Sequence, residues 1–277
     1  ITLLGKPLGQ SFAARMQNAG YEAAGLNMLY FYTEVDKDHL GDVVNGLRYM
    51  NFAGFAVTKP NKVRVLRYLD ELDPLCKKMG ASNTVVKTPE GKLIGYNTDG
   101  VGFYTSLVEE GKINVEESTF FCFGAGGAGR AMCSVLAYHG AKKIYITDFY
   151  EPCAESLVMD INENFAPVAE LVHHGDYAKI AECNVVMNAS GIGMGSTIGQ
   201  TPMPVEHIQP GQFYFDACYN PDKTQFLLNA EEKGCQVLNG LGMSLYQGAA
   251  QIELWTGEKA PVEAMRKELM DILAESK

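Results

Sequence analysis

The chain runs to 277 residues, 47% of them hydrophobic and 20% charged, which supplies apolar side chains for sizeable α/β cores and excludes a long disordered tract. Its 23 lysines and arginines face 33 aspartates and glutamates, a net charge of −10, so nucleic acid and anionic membrane surfaces, which need a basic footprint, are not expected as partners. No apolar run reaches the ~18 residues of a membrane-spanning helix, and no secretory leader is read at its start, so a cytoplasmic location is expected.

Strand-like apolar runs alternate with amphipathic windows, the pattern of an α/β protein with parallel sheets. Ile1 to Leu4 reads as a strand, and Ser11 is placed to cap the next helix. Leu26 to Thr33 is the second strand. Asp36 opens a helix with Leu40, Val43, Val44 and Leu47 on one stripe. Phe52 to Val57 is the third strand, and Val63, Leu66 and Leu69 suggest a short helix. Thr84 to Tyr96, with Pro89-Glu90-Gly91 at its middle, predicts a hairpin.

Around Asp99 the organisation changes. A helix over Val101 to Glu110 leads to the strand Thr119 to Phe123, then a glycine-rich turn and a helix reaching His139. Ile144 to Asp148, Asn184 to Asn188 and Phe213 to Asp216 are further strands. The tail from Gly242 is helical, with Val262, Met265, Leu269 and Ile272 at spacings of three and four. Two domains follow, residues 1–100 and 101–239, and the C-terminal helices fit either.

The seven cysteines (76, 122, 133, 153, 183, 218 and 235) are scattered and never spaced Cys-x-x-Cys, so reduced, mostly buried thiols are expected rather than a disulfide framework. The five histidines form no ligand pattern, and no metal site is expected.

Gly124-Ala125-Gly126-Gly127-Ala128-Gly129 contains the G-x-G-x-x-G spacing of a dinucleotide-binding turn. The first glycine permits a tight turn, the second lets backbone N–H groups reach a pyrophosphate, and the third lets helix and strand pack closely. The same spacing also fits a plain strand-to-helix turn. The next strand ends in Asp148, nineteen residues past Gly129, where a carboxylate can accept from ribose hydroxyls and repel a 2′-phosphate. Phe149 beside it offers no cation. This pair predicts NAD, with NADP disfavoured; capping of the following helix is the other role open to Asp148.

Three polar clusters close elements of the first half: Val57-Thr58-Lys59-Pro60-Asn61-Lys62, Gly80 to Thr84, and Gly95-Tyr96-Asn97-Thr98-Asp99-Gly100. A lysine, an aspartate, amides and a threonine at such boundaries describe a site for a small, hydroxyl-rich, neutral-to-anionic molecule. Turn chemistry alone accounts equally well for any one cluster.

Taken in order, these segments resemble the shikimate dehydrogenase family, with its quinate-acting members, over nearly the whole chain. The family's G-x-P-x-x-H-S-x-S-P-x-x-H-N opening corresponds to Gly5 to Asn18, its G-x-N-V-T-x-P-x-K loop to Gly54 to Lys62, and its G-A-x-N-T and G-x-N-T-D segments to the runs from Gly80 and Gly95. Asn188-Ala189-Ser190, Asp216 to Pro221, Gly240 to Met243, Gln247 and Trp255-Thr256-Gly257 continue in family order.

The resemblance implies an N-terminal substrate domain, with residues 240–277 returning to it, a Rossmann-type domain, and a cleft between the two. It implies Lys62 and Asp99 as the catalytic pair, with Lys59 the alternative lysine. Substrate contacts are implied for Ser11, Thr58, Asn83, Tyr219 and Gln247. Cofactor contacts fall to the glycine turn, Asp148, Phe149 and Asn188, with Gly240 and Met243 at the nicotinamide end. The implied reaction interconverts a ring hydroxyl and ketone of shikimate or quinate by hydride transfer, in a monomer or homodimer. A same-family enzyme for another cyclic hydroxy-acid and a non-catalytic dinucleotide-binding regulator are the alternatives.

The departures fall in the substrate half: Gln10 and Gln17 replace the family's histidines, Ala13 its second serine, Ala14 its proline and Ala56 its loop asparagine. A missing serine hydroxyl removes a hydrogen bond to the substrate carboxylate worth ~1.5–3 kcal/mol, which predicts weaker shikimate binding or a preference for another polyol acid. Asp148-Phe149 stands where NADP-using members carry Asn-Arg, in keeping with the NAD expectation.

Overall fold

Residues 1–8 and 12–275 are described by the structure, a computed structural model. The chain forms two compact units: Ile1–Gly102 with Leu245–Lys277, and Phe103–Ser244. Both are α/β.

In the first unit, β1 (Thr2–Gly5), α1 (Ala13–Ala23), β2 (Phe31–Glu34), α2 (Leu40–Tyr49) and β3 (Gly54–Val57) come first. Then follow β4 (Glu71–Leu72), α3 (Pro74–Met79), β5 (Thr84–Lys87) and β6 (Leu93–Tyr96). Its six-stranded sheet has the order β2-β1-β3-β5-β6-β4. β1 pairs parallel with β2 and β3, but β5 is antiparallel to both β3 and β6. The sheet is therefore parallel on one side and antiparallel around β5. The hairpin over Thr84 to Tyr96 forms as expected, and its tight turn reverses the chain inside the sheet.

Two boundaries differ from the sequence reading. β2 starts at Phe31 rather than Leu26 because the Asn18 side chain takes both backbone groups of Tyr30, accepting from its N–H at 2.7 Å and donating to its carbonyl at 2.9 Å. α2 starts at Leu40 because Asp36 to His39 form a turn, closed by the His39 N–H on the Asp36 carbonyl. The stripe itself holds: Leu40, Val44 and Leu47 are buried against Leu4, Phe55 and Val57, each such side chain contributing about 1.5–3 kcal/mol.

α4 (Thr98–Glu109) carries the chain into the second unit, where β7 (Thr119–Phe123), α5 (Gly127–Tyr138), β8 (Lys143–Thr147), α6 (Glu151–Asn164) and β9 (Ala169–Leu171) form one wing. β10 (Val185–Asn188), β11 (Phe213–Asp216), α7 (Gln225–Glu232) and β12 (Gln236–Asn239) form the other. The strand order is β12-β11-β10-β7-β8-β9, and every pairing is parallel. Chain order reverses beside β7, and a doubly wound sheet binds ligands at such a switch point, off the carboxyl ends of its strands. The glycine turn sits there.

α8 (Leu241–Thr256) and α9 (Val262–Glu275) end the chain. α9 packs along α1 with Met265, Leu269 and Ile272 buried. Gly20 of α1 keeps this approach close, since a Cβ there would meet Met265 Cγ of α9 at 3.1 Å as well as Ile252 Cδ1 of α8 at 2.7 Å. The cysteines are free thiols, all buried except Cys153. Among the described residues no helix is long and apolar enough to cross a membrane, and no cluster of three or more candidate metal ligands occurs.

Candidate active site

Lys62 and Asp99 lie 37 residues apart, yet Nζ donates to Oδ2 at 2.6 Å. The loop after β3 delivers the lysine. The Thr58 carbonyl accepts from Asn61 N–H, Asn61 Nδ2 donates to the Val35 carbonyl at 3.2 Å, and the Lys62 carbonyl accepts from Ser82 N–H. Asp99 comes from the first turn of α4. The two side chains retain 30% and 20% exposure, so the pair is open to a small molecule without being fully solvated. Lys59, the alternative lysine, is solvent-exposed and takes no part in this pair.

Asn83 completes the group. Its Nδ2 donates to Asp99 Oδ1 at 3.0 Å and to Thr98 Oγ1 at 2.9 Å, with Gln247 Oε1 at 3.4 Å. Its Oδ1 accepts from the Thr98 N–H at 2.7 Å, which settles the orientation of the amide. Asn83 is only 3% exposed, so its visible work is to hold Asp99. Thr58 lies half-buried at the end of β3, its methyl so close to Gly5 that a Cβ on that glycine would meet Cγ2 at 2.4 Å.

The expected catalytic pair Lys62 and Asp99 thus meets the expected substrate contacts Asn83 and Gln247 in the first unit. Tyr219 belongs to the second, bonded to the Ser244 side chain, with burial pushing its phenol up. Ser11 and Gln10 lie outside the described residues. Ala14, where the family has proline, uses its N–H to donate to the Tyr32 hydroxyl at 3.0 Å, a bond proline could not make. Ala56 is buried within β3.

What the sequence reading missed is a buried arm behind Asn83. Thr84 Oγ1 donates to Asn83 Oδ1 at 2.9 Å, Gln251 Nε2 donates to Thr84 Oγ1 at 2.9 Å, and Gln17 Nε2 donates to Gln251 Oε1 at 2.9 Å. One signal was available: Gln251 follows Gln247 by four residues on α8, which places both on one helix face.

In the second unit, the three motif glycines have separate duties. Gly124 has φ +99°, and a Cβ on it would sit 2.6 Å from Ser190 N. A Cβ on Gly129 would lie 1.9 Å from the Gly124 carbonyl oxygen, so only glycine lets α5 start this close to β7. At Gly126 a Cβ would meet nothing within 4 Å, leaving open space at the start of α5, whose N-cap carries no side-chain hydrogen bond. Free N–H groups beside an open, side-chain-free surface fit a dinucleotide pyrophosphate.

Asn188 is fully buried and shapes the adjoining loop, donating to the Ile192 carbonyl at 2.8 Å and to both oxygens of Asp216. Gly240 is required by packing, since a Cβ would meet the Ala217 carbonyl oxygen at 2.1 Å. Met243 lies half-buried at the start of α8.

Comparison with known proteins matches the shikimate dehydrogenase substrate binding domain to residues 3–85 and the shikimate 5'-dehydrogenase C-terminal domain to residues 240–270. A curated relative from Desulforamulus reducens, named shikimate dehydrogenase (NADP(+)), is 40% identical over 271 residues, 96% of this chain and 93% of its own. The chain belongs to the shikimate dehydrogenase family. Among solved structures, shikimate 5-dehydrogenase from Listeria monocytogenes in complex with shikimate and NAD aligns with a TM-score of 0.92 at 38% identity, covering 97% of this chain and 95% of that one. Quinate dehydrogenase from Corynebacterium glutamicum in complex with NAD aligns at 0.91 with 29% identity, covering 98% of each.

The preference for NAD over NADP drawn from Asp148 and Phe149 is corrected by these relatives, whose curated names specify NADP(+). Asp148 Oδ2 accepts from the Ala125 N–H at 2.7 Å and Oδ1 from the Tyr150 N–H at 2.8 Å. The carboxylate braces the glycine turn and the start of α6, and Phe149 is 88% exposed with its ring beside that of His174.

Proposed function

We propose that this chain is an NADP(+)-dependent shikimate dehydrogenase, interconverting a ring hydroxyl and ketone on a cyclohexene carboxylate. The observation that carries this reading is the 2.6 Å Lys62–Asp99 pair, partly shielded and held from behind by Asn83. Lys62 Nζ takes the hydroxyl proton as the alcohol is oxidised and returns it in the reverse direction. Asp99 keeps the amine aimed through the Nζ–Oδ2 hydrogen bond, so the single hydroxyl proton faces Nζ. Within the first unit, Thr58, Asn83 and Gln247 are substrate contacts that the family resemblance implies. The glycine turn, with Gly126 open and the α5 N-terminus behind it, holds the dinucleotide, which when bound supplies the hydride acceptor.

Reduced-nicotinamide absorbance with shikimate and NADP(+) tests this directly. Turnover supports the reading. Tight dinucleotide binding without turnover on shikimate or quinate would instead identify a regulator. A second reading, an enzyme for a different cyclic hydroxy-acid, is favoured by Ala13 and Ala14 at the start of α1, where the family's serine and proline are absent. Quinate and other ring polyol acids offered alongside shikimate decide between the two by their kcat/KM.

A further inference from the structure

The buried arm behind Asn83 has a direction, and the direction starts at a backbone atom. The Gly248 carbonyl can only accept, and Gln17 Nε2 donates to it at 3.1 Å, so the amide of Gln17 can face only one way. Its second N–H then meets Gln251 Oε1, which turns the Gln251 NH2 toward Thr84. Thr84 Oγ1 accepts there and donates to Asn83 Oδ1 at 2.9 Å, with Thr98 Oγ1 a second hydroxyl partner at 3.1 Å. Asn83 in turn presents its NH2 to Asp99 Oδ1, leaving Oδ2 to Lys62.

Every one of these groups is in the first unit, and Gln17, Thr84 and Gln251 are buried. Gln17 Oε1 has no partner among the described residues, although it is inaccessible to solvent. The chain thus tolerates an unsatisfied oxygen at the anchor while using every proton of the Gln17 amide. In the family opening this position is a histidine, so the arm depends on a residue that departs from the pattern.

Building on the proposed reaction, we infer that Gln251 and Thr84, anchored by Gln17, are positioning residues that act with the Thr98 N–H on the same oxygen to hold the rotamer of Asn83 and through it the carboxylate of Asp99. None of the three touches Lys62 or the open side of the pair. Their effect is on the geometry of proton transfer and not on substrate affinity.

The test uses the full-length protein, with Gln251→Leu and Thr84→Val removing the donor and the hydroxyl and Thr84→Ser restoring the hydroxyl. Both removals should lower kcat with shikimate and NADP(+) about five- to tenfold while KM for shikimate stays within about twofold, and Thr84→Ser should stay near wild type. A purely structural role would lower the folded fraction, read by the melting transition, and would not separate kcat from KM. Independently of turnover, the side-chain amide signals of Asn83 should exchange slowly in the wild-type NMR spectrum and quickly in Gln251→Leu or, should that variant not fold, in Thr84→Val. Unchanged kcat, a rise in KM as large as the fall in kcat, or equal protection of the Asn83 amide would overturn the inference. If the wild-type protein oxidises no ring alcohol, the functional reading fails, and the Asn83 exchange rates still judge the arm.

Discussion

The Asn83 amide donates to Oδ1 of Asp99 at 3.0 Å, so the carboxylate that meets Lys62 through Oδ2 is held at both ends. A carboxylate gripped in this way loses little rotamer freedom when substrate arrives, and the amine facing it keeps one position relative to the reacting hydroxyl.

Lys62→Ala should therefore lower kcat by ~10²–10⁴-fold, the usual contribution of a positioned acid/base. KM for substrate should change far less. Steady-state kinetics with shikimate read both, and a variant that keeps its kcat removes Lys62 from the chemistry.

The motif glycines separate packing from ligand access. Gly129→Ala places a methyl against the Gly124 carbonyl oxygen and should lower stability by roughly 1–3 kcal/mol or more, visible as a lower melting temperature. Gly126→Ala meets only open space, so its melting temperature should match wild type while NADP(+) binds more weakly. Calorimetric titration of both variants checks the contrast.

Asp148→Ala removes two acceptors from the backbone of the glycine turn and the α6 start. Charge-assisted bonds of this kind contribute ~1.5–3 kcal/mol, so dinucleotide affinity should fall about tenfold or more. Because the carboxylate braces the turn, the loss should be similar for NAD and NADP. A selective gain for either one would return Asp148 to the ribose.

Asp216 adds a pH dependence. Burial pushes its carboxyl up, against the pull of hydrogen bonds from Thr224, Cys218 and Asn188. The folded chain then keeps this proton to higher pH than the unfolded chain, so the contribution to stability is fully present below the usual aspartate range and is lost as pH rises through the raised value. Asp216→Asn lacks this titration. Melting temperatures across that window should fall more steeply with pH for wild type than for the variant, and parallel curves would contradict it.

Much of the second unit was legible in the chain. Buried runs such as Phe120 to Phe123 mark strands covered on both faces, and the glycines of the turn are demanded by local backbone geometry. The hairpin at Pro89 to Gly91 was equally plain. Its consequence, a mixed first sheet, was not, because the neighbour a strand pairs with depends on the whole topology. In the candidate site, Lys62 and Asp99 were picked out by their polar clusters and the family resemblance, while their pairing across 37 residues waited for the fold.

Sequence by itself determined what repeats locally: the order of strands and helices, the apolar stripes of α2 and α9, and the glycines around which a phosphate-binding turn can close. Tertiary structure alone decided where long side chains point. It turned Asp148 onto the Ala125 amide, and it brought Gln17 to Gln251 across 234 residues. Periodicity reports which face of an element is buried, but a hydrogen bond needs two atoms within about 3 Å at a set angle, and only the assembled backbone supplies both.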